Sequence, residues 1–264
     1  MRDDVERLQV RPSKARGQSF LRDPAVAARQ VMAAQVAPGE RVLEIGGGLG
    51  VLTRELARRG ALVRVVELEP AFVKELRALG LPGVEVEEGD ALRVELGSPE
   101  KIVANIPYAI SSELIERITL TGAPLIVLML QLEVAERLAA RPGGKEWSAL
   151  GAVVAQSYAV EIVEKVAPQA FWPQPKVTSA VVRLRRTRHQ PGVEPSDYRT
   201  LVRALFSARR RMIRNSVARA APHFRVDPED AVRAAVELGV GDRRPEELSM
   251  AEFEGLAARL RSRQ

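Results

Sequence analysis

Between residues 41 and 140 the chain repeats one unit: a short apolar run, a turn, then a stretch whose apolar residues recur at helical spacing. Residues 41–45, 62–67, 84–88, 102–105 and 124–130 read as strands, and 51–59, 70–79, 111–120 and 131–140 as helices. A strand that must wait for a helix before meeting the next strand pairs with it in parallel. The order therefore predicts an α/β fold, a parallel sheet with helices on both faces. A helix over 24–36 precedes the repeat, and a helix near 148–156 follows it. Residues 160–166 and 179–184 lie close together in sequence and are expected to add an antiparallel edge pair.

The polar stretch 187–196, with Pro191, Gly192 and Pro195, divides a domain at 1–186 from a second at 187–264. Beyond it the pattern is helical to the end. A long amphipathic helix is expected from Asp197 to about Arg219, with Leu201, Leu205, Ala208 and Met212 on one face and Arg199, Arg203, Arg210 and Arg214 on the other. The net charge is +6. Residues 1–186 hold 25 Lys and Arg against 23 Asp and Glu, whereas 187–264 hold 15 against 11. The excess sits in the smaller part, as it would in a module that binds a polyanion.

Several classes drop out. The chain has no cysteine, and its two histidines, His189 and His223, are far apart in polar segments. That argues against a zinc site or a catalytic triad, and no metal is expected. No apolar run reaches membrane-span length, and Met1-Arg2-Asp3-Asp4 does not open a signal peptide, so a soluble cytoplasmic protein is expected.

The ends of the first four strands carry the chemistry. Glu44-Ile45-Gly46-Gly47-Gly48-Leu49-Gly50 joins the first strand to its helix. Its glycines let a ligand approach the backbone, and the helix start offers free N–H groups. Val51 stands where a dinucleotide fingerprint needs its third glycine, which disfavours a NAD-dependent dehydrogenase. Glu67 closes the second strand, where a carboxylate can accept both hydroxyls of a ribose. Asp90 follows the third, placed to accept an adenine amine. A nucleoside without a pyrophosphate suits these positions, and S-adenosylmethionine is such a ligand. Asn105-Ile106-Pro107-Tyr108 ends the fourth strand. An amide acceptor, a rigid proline and a stacking ring suit an enzyme that methylates a nucleobase amino group.

At these residues the chain resembles the KsgA/RsmA rRNA adenine dimethyltransferases, with the Erm methyltransferases as cousins. The resemblance rests on Gly17-Gln18-Ser19-Phe20-Leu21, on the segments at 44–53 and 105–111, and on Met129-Leu130-Gln131 with Glu133-Val134. It continues through Ala170-Phe171-Trp172-Pro173-Gln174-Pro175-Lys176-Val177, Ser179-Ala180-Val181-Val182-Arg183-Leu184 and Phe206-Ser207-Ala208-Arg209-Arg210-Arg211, ending at Ile213-Arg214-Asn215-Ser216. These segments stand in family order across nearly the whole chain, and the last favours the KsgA branch.

The resemblance implies a Rossmann-like class I S-adenosylmethionine-dependent methyltransferase domain followed by a small all-helical rRNA-binding domain. It implies cofactor contacts at Ser19, Leu21, Gly46, Gly48, Glu67, Asp90 and Asn105, and a target-base site at Asn105, Ile106, Pro107, Tyr108 and Phe171. Tyr108 and Phe171 would hold the faces of an adenine taken out of its stack. Asn105 and the Ile106 or Pro107 carbonyl would accept its N6 hydrogens. Arg199, Arg203, Arg210 and Arg214 would contact rRNA phosphates. The implied reaction is dimethylation of N6 on two adjacent adenines near the 3′ end of small-subunit rRNA during ribosome biogenesis. The partner is that rRNA or its assembly intermediate, the chain acting as a monomer away from membranes. An Erm-like reaction on large-subunit rRNA and a non-catalytic assembly factor are the alternatives. Two positions depart from the family pattern: Ser19 replaces an Asn or His, and Ala109 replaces an Asn, Gln or His. The first shortens the reach toward the methionine end of the cofactor, and the second removes a polar group beside the base pocket.

Overall fold

Branched and long apolar side chains fill both faces of the central strands, so these strands are buried on both sides. In a computed structural model, which describes residues 19–189 and 192–262, the main sheet is built from β2 (Arg41–Ile45), β3 (Leu62–Glu67), β4 (Val84–Glu88), β5 (Lys101–Asn105), β6 (Leu125–Gln131), β7 (Tyr158–Val166) and β9 (Ser179–Arg186). Their order is β4-β3-β2-β5-β6-β9-β7. The five strands from β4 to β6 are parallel, and β9 runs antiparallel to β6. β6, Leu-Ile-Val-Leu-Met-Leu-Gln, is buried along all but its last residue. β4 lies at an edge and reads Val-Glu-Val-Glu-Glu, where glutamates keep the open edge from pairing with another chain.

A second, two-stranded sheet pairs β1 (Phe20–Leu21) with β8 (Phe171–Trp172), so that Leu21 faces Phe171. The Arg22 N–H extends the ladder to the Ala170 carbonyl at 2.9 Å. The family segment that begins at Gly17 enters this ladder; Gly17 and Gln18 themselves lie outside the described residues.

By its internal contacts the chain divides into one unit of residues 1–135 with 159–186 and another of 136–158 with 187–264. This differs from a single cut after Arg186. The excursion 136–158 supplies Trp147, Ala152 and Val153 to the core of the helical unit, beside Tyr198, Leu201, Phe224 and Phe253. In that unit Asp197 is enclosed and receives hydrogen bonds from Arg261 at 2.5 and 2.6 Å and bonds with His223 Nε2 at 2.8 Å. Burial alone would raise its pKa; the two partners outweigh that and hold it below the ordinary aspartate range.

The long amphipathic helix expected up to Arg219 is corrected by the structure. The helix runs Pro195–Phe206, capped at Ser207. After it, the N–H groups of Ala208, Arg209 and Arg211 turn to carbonyls three residues back. Those of Ile213 and Arg214 bond across to Arg243 and Gly241 at 2.8 and 3.0 Å. A tertiary partner thus replaces the helical ladder, and two 3₁₀ turns, Ile213–Asn215 and Val217–Arg219, follow. Arg199 and Arg203 lie on the helix, whereas Arg210 and Arg214 lie beyond it, so the four do not form one helical stripe. Leu201 and Leu205 are buried as expected, but Met212 is 39% exposed.

Candidate active site

In an open α/β sheet, ligands bind beyond the carboxyl ends of the strands where the order reverses. Here that point lies between β2 and β5, since β3 and β4 continue to one side of β2 and β5 lies on the other. A cleft of about 780 Å³, including its open mouth, opens there. Its wall includes Gly46, Gly47 and Gly48 after β2, Glu67 at the end of β3, and Asn105, Ile106, Pro107 and Tyr108 after β5. The β1–β8 ladder adds Ser19, Phe20, Leu21 and Phe171.

The glycine turn is shaped for close approach. Gly46 and Gly48 hold φ of +76° and +52°, a region that side chains disfavour. A Cβ on Gly48 would press to 3.3 Å of the Phe20 ring. Glu67 braces the turn: the Gly48 N–H donates to its Oε2 and the Glu69 N–H to its Oε1, each at 2.9 Å. Burial pushes the Glu67 pKa above the ordinary carboxylate value, and these backbone bonds oppose the rise. Each carboxylate oxygen keeps a second lone pair for a hydroxyl.

Two buried polar groups on this wall lack a hydrogen-bond partner among the described residues. One is Asn105 Oδ1. The other is the carboxyl of Glu44, on β2, both of whose oxygens are unpartnered. Burial pushes the Glu44 ionisation up to about 8, although the nearby Thr53 hydroxyl, short of hydrogen-bond geometry, favours the charged form. Such groups are costly unless something completes them, and a polar ligand with amine and hydroxyl donors would.

Pro107 begins a short 3₁₀ turn, Tyr108–Ile110, closed by the Ile110 N–H on the Pro107 carbonyl at 3.3 Å. The half-buried Tyr108 hydroxyl lies 2.7 Å from Ser179 Oγ. Phe171 is nearly enclosed, serving the core as well as the cleft. Ala109 is exposed.

The structure gathers the sequence-predicted residues Ser19, Leu21, Gly46, Gly48, Glu67, Asn105, Ile106, Pro107, Tyr108 and Phe171 into this one cleft. It does not bring Asp90 to the cleft wall. Asp90 Oδ1 instead accepts the Leu92 N–H at 2.9 Å, and Oδ2 lies 3.5 Å from Arg93. Sequence reasoning missed Phe20, which packs edge-on against Phe72 at 5.1 Å and covers the glycine turn. It also assigned no role to Glu44, although an acid inside the apolar run Arg-Val-Leu-Glu-Ile is itself a signal.

Among solved structures the chain is similar to a dimethyladenosine transferase from Plasmodium falciparum, 27% identical over 90% of this chain and 95% of that one, with a TM-score of 0.78. It is also similar to the 23S rRNA methyltransferase ErmE, 31% identical over 91% and 99% of the two chains, with a TM-score of 0.65. With these likenesses, the doubly wound sheet and its cleft are those of a class I methyltransferase of the Rossmann-like type, with S-adenosylmethionine as its methyl donor. The family model for the ribosomal RNA adenine dimethylases matches residues 11–242, and the chain belongs to that family. A curated relative from Rubrobacter xylanophilus, Ribosomal RNA small subunit methyltransferase A, is 40% identical and aligns over 95% of both chains. A Probable ribosomal RNA small subunit methyltransferase A from Thermococcus gammatolerans is 38% identical over 82% of this chain and 78% of its own.

Proposed function

We propose that this enzyme adds two methyl groups to N6 of each of two adjacent adenines near the 3′ end of small-subunit rRNA, acting as a monomer on an assembling subunit in the cytoplasm. The observation that carries the reading is the buried, unpartnered Asn105 Oδ1 on the cleft wall beside Tyr108. An exocyclic amine is the donor that such an acceptor lacks.

The residues act by orientation. S-adenosylmethionine supplies an electrophilic methyl on a positively charged sulfur. The glycine turn and Glu67 would hold the cofactor, Glu67 through the ribose hydroxyls. Asn105 Oδ1 accepts one N6 hydrogen of the flipped adenine. The Ile106 or Pro107 carbonyl accepts the other; that of Pro107 also takes the Ile110 N–H and keeps a second lone pair. With its hydrogens held, two in the first transfer and one in the second, the nitrogen lone pair would turn out of the ring's conjugation toward the methyl donor. Tyr108 and Phe171 support the base. The new N–C bond would form as the methyl–sulfur bond breaks, leaving the neutral thioether S-adenosylhomocysteine; the ammonium so formed is acidic and would lose its proton to solvent, so no side-chain base is required. Placement supplies most of the rate.

The small-subunit target is supported by the names of the relatives at 38–40% identity. The Erm-like alternative has the likeness to ErmE behind it, and the assembly-factor alternative leaves the Asn105 to Tyr108 set without a use. The deciding experiment offers S-adenosylmethionine and unmodified small and large subunits to the parent and to Asn105→Ala. The parent should methylate small subunits at adjacent adenines, and a folded Asn105→Ala should lose nearly all transfer. Methylation mapped to the large subunit, or a variant within about threefold of the parent, would overturn the reading.

A further inference from the structure

Tyr108 needs a fixed ring plane if it is to hold a base, yet its backbone lies in a single 3₁₀ turn after β5 rather than in the sheet. Two bonds hold that turn at its base: Ile110 N–H to the Pro107 carbonyl, and Ser111 Oγ to the Tyr108 carbonyl at 3.1 Å. Neither fixes the ring. The far tip of the ring meets Ser179 Oγ at 2.7 Å.

Ser179 is a firm anchor. It is fully buried and opens β9. There it pairs with Gln131 at the end of a continuous register with β6, beginning at Leu125 and Arg185. The Leu132 N–H bonds to the neighbouring Thr178 carbonyl at 3.0 Å, so the backbone is held on this side too. A serine hydroxyl can both donate and accept, so it matches a phenol in either direction. Burial pushes the Tyr108 pKa above its ordinary value, the bond to Ser179 opposing the rise, so the phenol stays neutral and its hydroxyl can donate or accept.

We propose that Ser179 is a positioning residue for the methyl transfer: through its bond to the Tyr108 hydroxyl it locks the ring in the plane that receives the adenine. The role rests on the base-site reading above. Ser179 acts on the base only through Tyr108. Removing the bond from either side should therefore have one and the same effect, and removing both sides should add nothing.

The test is a double-mutant cycle with Ser179→Ala, Tyr108→Phe and the double variant, assayed on unmodified small subunits. Loss of one neutral hydrogen bond corresponds to about threefold to tenfold in rate. Each single variant should lose about that much in kcat, with the KM for S-adenosylmethionine unchanged, and the double variant should match the singles. Ser179→Thr, which retains the hydroxyl, should restore the rate. A second readout places 2-aminopurine at the target position and follows its fluorescence in the complex. Quenching by the stacked ring should weaken equally in both single variants. Multiplicative losses in the double variant, a parental rate in Ser179→Ala, or a fall in melting temperature with unchanged quenching would overturn the positioning role. Asn105→Ala in parallel separates the two readings. If Asn105→Ala stays active, the base site itself is misassigned; if it is dead while the cycle is additive, only Ser179 is.

Discussion

Glu67 binds the turn that surrounds it and, in the proposed function, the ribose as well. Replacing it with alanine removes the acceptor for the Gly48 N–H together with a charge-assisted ligand contact. S-adenosylmethionine affinity should fall by about 1.5–3 kcal/mol, roughly tenfold to a hundredfold. Calorimetry on a folded variant checks this, and unchanged affinity would remove Glu67 from the site. Glu44 makes a different forecast. An unfolded glutamate ionises near its ordinary value of about 4.3, whereas buried Glu44 holds its proton up to about 8. Between those limits the folded state binds a proton that the unfolded chain has released. Its contribution to stability is therefore present at low pH and is lost as pH rises toward 8. Denaturant midpoints of the ligand-free enzyme should decline across this window, and Glu44→Gln should flatten the decline. A variant that declines as steeply as the parent would show that another group controls it.

At the scale of elements, the turn after β2 is set by packing beneath it as much as by its own conformations. A Cβ on Gly47 would lie 2.7 Å from Val65 Cγ1 on β3 and 2.8 Å from Leu76 Cδ1 on the helix Pro70–Ala78. Gly47→Ala should lower stability by about 1–3 kcal/mol through overpacking and weaken cofactor binding by shifting the turn. Thermal melts and calorimetry read both, and a parental melting temperature would show that the layer beneath yields freely. The elements that were legible in the sequence have strong periodicity: β2, β3 and β4 lie where their apolar runs placed them. The residues of the cleft were legible because strand ends in a parallel sheet converge. What could not be read was decided by distant partners. The β1–β8 ladder joins two-residue strands too short to show any period. The helix ending at Phe206 stops at no glycine or proline, and seven residues further on Ile213 and Arg214 turn to the carbonyls of Arg243 and Gly241.

Across the whole molecule, the positive excess of residues 187–264 predicts salt-sensitive binding to small subunits. Arg210 is exposed, whereas Arg214 forms an ion pair with Asp242. Arg210→Glu should flatten the salt dependence by about one unit of logarithmic slope for a lost phosphate contact. Arg214→Glu should change it less, because Asp242 already offsets that charge. Salt titrations with both variants decide this, and equal slopes in parent and variants would leave the rRNA surface elsewhere. Cofactor affinity should not change in either. The β1–β8 ladder sets a timetable for synthesis. The stretch of cleft wall from Ser19 to Leu21 stays without its partner strand until Phe171 and Trp172 have been made. A nascent chain stalled ahead of that point should therefore retain no S-adenosylmethionine, while one released at full length does. Until its last wall is translated, the nascent enzyme should gain no protection from its own cofactor.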